Sequence, residues 1–231
     1  MLIIVLIVVT AASVAALFLR GFRVQDFTAQ LKAKDVETPT LDVWLVEGGN
    51  YDSKMDAYKA GLAATNQGSG VYVLPVDGKW AWVASVCNSE SEAQSQFEQA
   101  GLSSTASVKL YAIKGKKFAV DESAFAACQQ VLSAVRNVYD LLLEMRQLNA
   151  QHEDISNLQI NLTSAYNQIK DGVEALQTLN ESLQSDFIAT LIYAGNQNVL
   201  GLQGVISTNS TVSVSTINNA LLKTIFSLDN F

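Results

Sequence analysis

The stretch that decides the fold occurs twice, as N-Y-D-S-K-M-D-A at residues 50–57 and as V-C-N-S-E-S-E-A at residues 86–93. In each copy a serine is followed three positions later by an acidic residue and then by an alanine, and the copies lie 36 residues apart. A serine with an acidic residue three positions on is the signature of a capped helix start. The repeat therefore predicts two short helices in equivalent positions.

Segments rich in β-forming residues surround both helix starts. They are, in chain order, L-D-V-W-L-V-E-G-G at 41–49, G-V-Y-V-L-P-V at 70–76, K-W-A-W-V-A-S-V at 79–86 and A-S-V-K-L-Y-A-I at 106–113. The Asp77-Gly78 pair predicts a two-residue hairpin turn. The resulting order, β-α-β-β-α-β, is the ferredoxin-like arrangement. It predicts an α+β fold with the first and third strands central, both helices on one face and the opposite face open.

One face of the two central strands is predicted to carry large side chains. Because side chains alternate along a strand, one face carries Trp44, Val46, Trp80 and Trp82. The smaller residues take the other face, which suits packing beneath helices: Val43, Leu45, Ala81 and Val83. Flat rings stack on apolar ligand faces, so the first set predicts a binding platform on the open side of the sheet. The alternative is that the C-terminal helices cover this face.

The repeat and its aromatic strands resemble the SPOR domain, the sporulation-related repeat of bacterial cell-envelope proteins, over about residues 42–114 only. The first half matches the family pattern at Gly49, Tyr51, Ser53, Lys54 and Ala57. The second half departs from it where the family has Gly-x-Phe, at Val86, Cys87 and Asn88, and it lacks the usual Arg near Trp82. The resemblance implies binding of peptidoglycan glycan strands through the sheet. It thereby implies a glycan ligand for Trp44, Val46, Trp80 and Trp82.

The N-terminus is apolar over residues 2–19, interrupted only by Thr10 and Ser13. At about 1.5 Å per residue, a helix of this length nearly spans a bilayer core of roughly 30 Å. Residues 1–20 are therefore predicted to be a transmembrane anchor or uncleaved signal, with residues 21–41 as a tether. The small residues at 11–16 leave signal cleavage open.

Two indicators disagree about the side of the membrane on which the body lies. The basic residues follow the span, at Arg20, Arg23, Lys32 and Lys34, so the positive-inside rule places the body in the cytoplasm. The SPOR resemblance implies the opposite, because peptidoglycan lies outside the membrane. We predict a single-pass cell-membrane protein with an extracytoplasmic body.

The C-terminal half has the pattern of amphipathic helices. Five apolar residues recur at intervals of seven, at Ile155, Leu162, Ile169, Leu176 and Leu183. The polar segment at 149–154, which contains His152, interrupts the pattern and predicts two helices, at about 122–150 and 155–193. A helical hairpin packed within one chain is favoured, and one long helix with a stutter or a contact between two copies is the alternative.

The rest of the chain completes a predicted helical domain over 121–231. A Gly/Asn/Ser/Thr-rich connection is predicted at 195–215 and a last amphipathic helix at 216–228. This half holds 4 Lys/Arg and 11 Asp/Glu, and the whole chain has a net charge of −7. That acidity argues against a nucleic-acid partner.

The composition also argues against an enzyme. There is one histidine, His152, and no spacing typical of metal ligands, of a nucleophile with its base or of a phosphate loop. We therefore predict no catalytic residues, no metal and no cofactor. Whether Cys87 and Cys128 form a disulfide stays open.

These observations predict a membrane-anchored bacterial envelope protein that acts in division or sporulation. A SPOR-like domain at 42–120 would bind peptidoglycan glycan strands, and helices within 122–193 would contact other envelope proteins or a second copy. The alternative is a non-enzymatic structural scaffold in which the SPOR-like fold makes only protein contacts. An exposed tryptophan face would favour binding, whereas a covered one would favour the scaffold.

Overall fold

The computed structural model describes residues 32–100, 102, 106–207, 212–229 and 231, and it has an α+β fold with two antiparallel sheets. The strands are β1 Ala33–Glu37, β2 Leu41–Tyr51, β3 Tyr72–Val76, β4 Lys79–Cys87, β5 Ser107–Ile113 and β6 Lys117–Asp121. The helices are α1 Lys54–Ala64, α2 Glu90–Gln99, α3 Glu122–Ala150, α4 Ser156–Leu183, α5 Asp186–Ile206 and α6 Val214–Leu228, with a 3-10 turn at Thr65–Gln67.

The predicted membrane anchor at residues 1–20 lies outside the described residues. Among the helices that the structure describes, none is both long and apolar enough to cross a membrane.

The two copies of the repeated stretch begin helices as predicted. The Ser53 hydroxyl accepts a hydrogen bond from the Asp56 N–H at 3.1 Å, and the Ser89 hydroxyl accepts one from the Glu92 N–H at 3.2 Å. Each bond satisfies a backbone donor that the first helical turn leaves free. The local signal therefore placed both helix starts correctly.

The order of the four-stranded sheet is β3-β4-β2-β5, and every neighbouring pair is antiparallel. The first and third predicted strands, β2 and β4, are therefore central, as predicted. Asp77 and Gly78 both have positive φ, at 48° and 77°, as a tight hairpin between β3 and β4 requires.

The face predicted to be open is covered, and this prediction is wrong. Helices α1 and α2 both pack on the face that carries Val46 and Trp82, where they contribute Ala57 and Ala93 to one buried cluster. Their small residues leave room for the Trp82 indole, which also lies against the backbone of Gly48. A Cβ at Gly48 would come within 1.9 Å of the indole Cε2.

The opposite face of the sheet packs against the C-terminal helices. Val43, Leu45 and Val83 belong to a second, larger core together with residues of α3 and α6 such as Leu142 and Leu221. The sheet is thus the middle of three layers. The predicted segments 42–120 and 121–231 share this core.

The predicted helical hairpin is present. The apolar seam formed by Ile155, Leu162, Ile169, Leu176 and Leu183 packs within the chain. Helix α3 ends at Ala150 and α4 begins at Ser156, with His152 between them at φ 58°. Three seam residues are fully buried in the shared core: Leu162, Ile169 and Leu176. Packing of α4 against α3 confirms the intrachain prediction.

The helix predicted over 155–193 is two helices. Gln184 takes a left-handed conformation with φ 50° and ends α4, and the Ser185 hydroxyl then caps α5 by accepting the Ile188 N–H at 3.4 Å. The prediction of a connection over 195–215 is wrong for residues 195–206, because these residues belong to α5. Its glycines allow close packing instead, since a Cβ at Gly195 would lie 2.4 Å from Cγ2 of Val173.

The tether predicted over 21–41 is partly a strand. Residues of β1 pair antiparallel with β6, from Ala33 opposite Asp121 to Glu37 opposite Lys117. Val36 enters the shared core. The pattern missed this strand because its charged residues face outward and only one side chain is buried.

The seam provides a matched pair of substitutions on one helix. We expect Ile169→Asp to lower the free energy of unfolding by roughly 4 kcal/mol or more, because it places an unpaired carboxylate in the core. Ile160 is 67% exposed on the same helix, so Ile160→Asp should have little effect. Urea unfolding followed by far-UV circular dichroism measures both. Equal losses for Ile169→Asp and Ile160→Asp would contradict burial of this helix face within the chain.

Candidate functional site

The structure separates the four residues predicted to form a platform. Val46 and Trp82 are enclosed, at 1% and 2% exposure, so the prediction of an exposed binding platform is wrong for these two residues. Trp44 and Trp80 are half-buried at the edge of the same cluster. The Lys54 ammonium lies 5.6 Å from the centre of the Trp80 ring. A ligand role for Trp44 and Trp80 stays a prediction.

A cleft of about 510 Å³, lined by both apolar and polar residues, opens where the short helices meet the long ones. Its floor is formed by the central strands, at Val46, Ala84 and Ser85. Its walls are the 3-10 turn after α1, the end of α2, the end of α3 and the start of α6. We call it the junction cleft. Its polar walls include Asn66, Gln67, Gln96, Gln99, Arg146 and Asn218.

The guanidinium of Arg146, which is 3% exposed, forms the base of the junction cleft. Its Nη1 donates to the Ser85 hydroxyl and to the Asn218 side-chain oxygen, both at 3.0 Å, and to the Val86 carbonyl. Its Nη2 donates to the Glu92 carboxylate at 2.6 Å. A buried charge needs such partners, and these come from β4, α2 and α6.

A β-bulge directs the Ser85 side chain toward the Arg146 guanidinium. Val46 pairs with Ser85 and Glu47 pairs with Val83, so Ala84 is an extra residue in β4 without a partner in β2. A bulge of this kind turns the following side chain to the other face of a sheet. The Ser85 hydroxyl therefore faces α2, where it donates to the Gln96 side-chain oxygen.

Hydrogen bonds hold the 3-10 turn against α6. The Asn218 amide donates to the Gly68 carbonyl at 2.9 Å, and the Ser215 hydroxyl donates to the Ser69 carbonyl at 2.8 Å. The Val71 N–H donates to the Asn219 side-chain oxygen at 2.7 Å. The wall of the junction cleft is thus built from residues nearly 150 positions apart.

The lining of the junction cleft fits an uncharged polar ligand. Side-chain amides and hydroxyls offer both donors and acceptors. Among the described lining residues only Arg146 is charged, and its two terminal nitrogens already donate to protein acceptors. The groups left at the rim are neutral, at Asn66, Gln67, Gln99 and Ser213.

An adjoining cleft of about 670 Å³ is lined by acidic residues. Glu92, Asp140 and Glu144 line it, and it shares Gln96, Gln99, Arg146 and Ala150 with the junction cleft. Its acidity would repel anions. The two clefts therefore differ in charge although they share one ridge.

The cysteine, histidine and acidic side chains of the described residues bear on metal binding and nucleophilic chemistry. No group of three or more His, Cys, Asp or Glu there is arranged to hold a metal ion. Cys87 and Cys128 are both buried as free thiols. Burial raises the pKa of Cys87 to about 11, so this thiol stays protonated at neutral pH and is a poor nucleophile.

No protein-family model, curated protein or solved structure matches this chain.

Sequence reasoning missed Arg146, although a signal was present. Arg146 follows Leu142 by four positions on α3 and so falls on the stripe that the apolar residues define. A charged residue on a buried stripe indicates a specific partner. Its acceptors, Ser85 and Asn218, are distant in the sequence, so no local pattern identified them.

Two arginines on α3 test the role of the buried one. Arg146→Met should lower the free energy of unfolding by roughly 2 kcal/mol or more, because it leaves the Val86 carbonyl and the Asn218 oxygen without their donor. Arg136 pairs with Asp140 on the surface of the same helix, so Arg136→Met should change it by less than about 1 kcal/mol. Equal losses in chemical denaturation would contradict the assignment.

Proposed function

We propose that this chain is a non-catalytic, membrane-anchored, SPOR-like protein of the bacterial cell envelope that binds the glycan strand of peptidoglycan in the junction cleft. The supporting observation is the neutral, amide-rich and hydroxyl-rich lining of that cleft beside Arg146. The glycan class comes from the SPOR resemblance of residues 42–114. In this proposal the cleft takes over the role that the sequence assigned to the tryptophan face.

Sugar hydroxyls suit such a lining because each one donates and accepts a hydrogen bond. The side chains of Asn66, Gln67 and Gln99 at the rim do the same. A volume of about 510 Å³ falls within the usual range for small-ligand sites.

The same proposal fixes the orientation of the protein. Residues 2–19 would anchor it in the membrane and the body would lie on the outer side, where peptidoglycan is. Such a protein would connect the membrane to the wall during division or sporulation.

A second candidate function is a structural scaffold without a glycan ligand. The observation that favours it is the enclosure of both faces of the four-stranded sheet by helices of the same chain. In this case the fold would make only protein contacts. The seam of α4 is already covered within the chain, so partners would bind exposed surfaces of helices 122–193.

Co-sedimentation with purified peptidoglycan sacculi separates the two candidates. We expect residues 32–231 to be retained, and Gln67→Ala combined with Gln99→Ala to weaken retention about thirtyfold, since each of the two lost hydrogen bonds is worth about 1 kcal/mol. Gln94→Ala is the matched control, because Gln94 lies on α2 outside both clefts.

The other outcomes are equally informative. No retention of the wild-type body would overturn the glycan proposal and leave the scaffold. Retention that Trp80→Ala abolishes while the double variant keeps it would return the ligand to the tryptophan residues.

A further inference from the structure

Strand β5 is an open edge of the four-stranded sheet. It spans seven residues, Ser107–Ile113, without proline or glycine, and among the described residues it pairs only with β2. Alternate backbone N–H and C=O groups on the other side of such a strand point outward. These groups make an edge strand a template for pairing with another strand.

The opposite edge, β3, is protected. It has five residues, and Pro75 within it has no N–H to donate. The ring of Tyr72 at its start stacks on Phe226 of α6 at 4.3 Å between ring centres. The contrast indicates that a pairing partner would choose β5.

An apolar side chain is exposed in the middle of β5. Leu110 is 56% exposed, and it lies directly opposite the half-buried Trp44 on the neighbouring strand. Directly opposed residues share a face of the sheet, so Leu110 and Trp44 form one apolar surface beside the open edge. Burying such a side chain stabilises an association by an amount proportional to the apolar area covered.

We propose that a second copy of this chain pairs antiparallel with β5, with Leu110 on the two-fold axis. In this register Leu110 faces its own copy, Lys109 faces Tyr111 and Val108 faces Ala112. The pairing continues the sheet across both protomers and covers both copies of Leu110. It goes beyond the proposed function and does not depend on a glycan ligand.

The charge distribution along β5 favours this register. Lys109 is the one charged residue of the strand. Centring the pair on Leu110 places each Lys109 opposite a tyrosine, whereas a two-fold axis at Lys109 would place the two lysines opposite each other. Like charges in directly opposed positions destabilise a sheet. Lys109 is also neutralised within its own chain, since its ammonium lies 2.7 Å from the Glu47 carboxylate.

Disulfide trapping tests the register in the full chain. Directly opposed residues of antiparallel strands have Cα atoms about 4.5–5.5 Å apart, within the range that a disulfide spans. Leu110→Cys should therefore form a covalent dimer under mild oxidation, visible on a non-reducing gel. The two copies of Ala112→Cys would lie about 14 Å apart and should stay monomeric. The native Cys87 and Cys128 are buried and provide little background.

Sedimentation in a detergent that holds the full chain gives a second measurement. The wild type should have the mass of a dimer, Leu110→Lys that of a monomer, and Leu200→Lys that of a dimer, because Leu200 is comparably exposed, at 53%, but lies on α5. A monomeric wild type, equal trapping of Leu110→Cys and Ala112→Cys, or no trapping of either would overturn the proposal. None of these results depends on sacculus binding, so the two proposals fail separately.

Discussion

The junction between the sheet and the long helices depends on the buried guanidinium of Arg146. Removing a charge from water is costly, and the cost is offset only when hydrogen-bonding partners surround it. Here acceptors from β4, α2 and α6 meet one side chain of α3. Because these acceptors must all be in place together, the ion pair determines how the helices sit on the sheet, and the cleft above it follows from that geometry.

The repeated stretch gains a second use at this point. In the first copy the Asp56 carboxylate accepts the hydroxyl of its own cap residue, Ser53. In the second copy the Glu92 carboxylate accepts the Asn88 N–H at 3.1 Å with one oxygen and Arg146 with the other. The second copy therefore begins a helix and also binds that helix to the C-terminal half. This double role gives a physical reason for the two copies to differ.

The layering of the fold decides where a ligand or a partner can bind. Short helices cover one face of the sheet and long helices cover the other, so neither face is open. A surface for a small polar ligand remains at the junction cleft, where the 3-10 turn meets the ends of α2 and α3 and the start of α6. A surface for a strand remains at β5, whose outer edge pairs with no other strand in the part of the chain that the structure describes. Both proposals concern margins of the sheet.

Local signals in the sequence determined much of the fold. Several signals act over a few neighbouring residues, and each predicted its feature correctly. They are the capping serines, the Asp77-Gly78 turn, the alternation along the strands and the seven-residue period of α4. What only the tertiary structure decided is what packs against what. Alternation shows that Val46 and Trp82 share a face but not which helices cover it. The segment that begins at Gly195 has the composition of a loop, yet it is helical. The close approach of Val173 explains why a residue without a Cβ stands at position 195. The position of Arg146 on a buried stripe can be recognised in the sequence, but its partners could not be predicted, because they lie more than 50 residues away and folding alone brings them together.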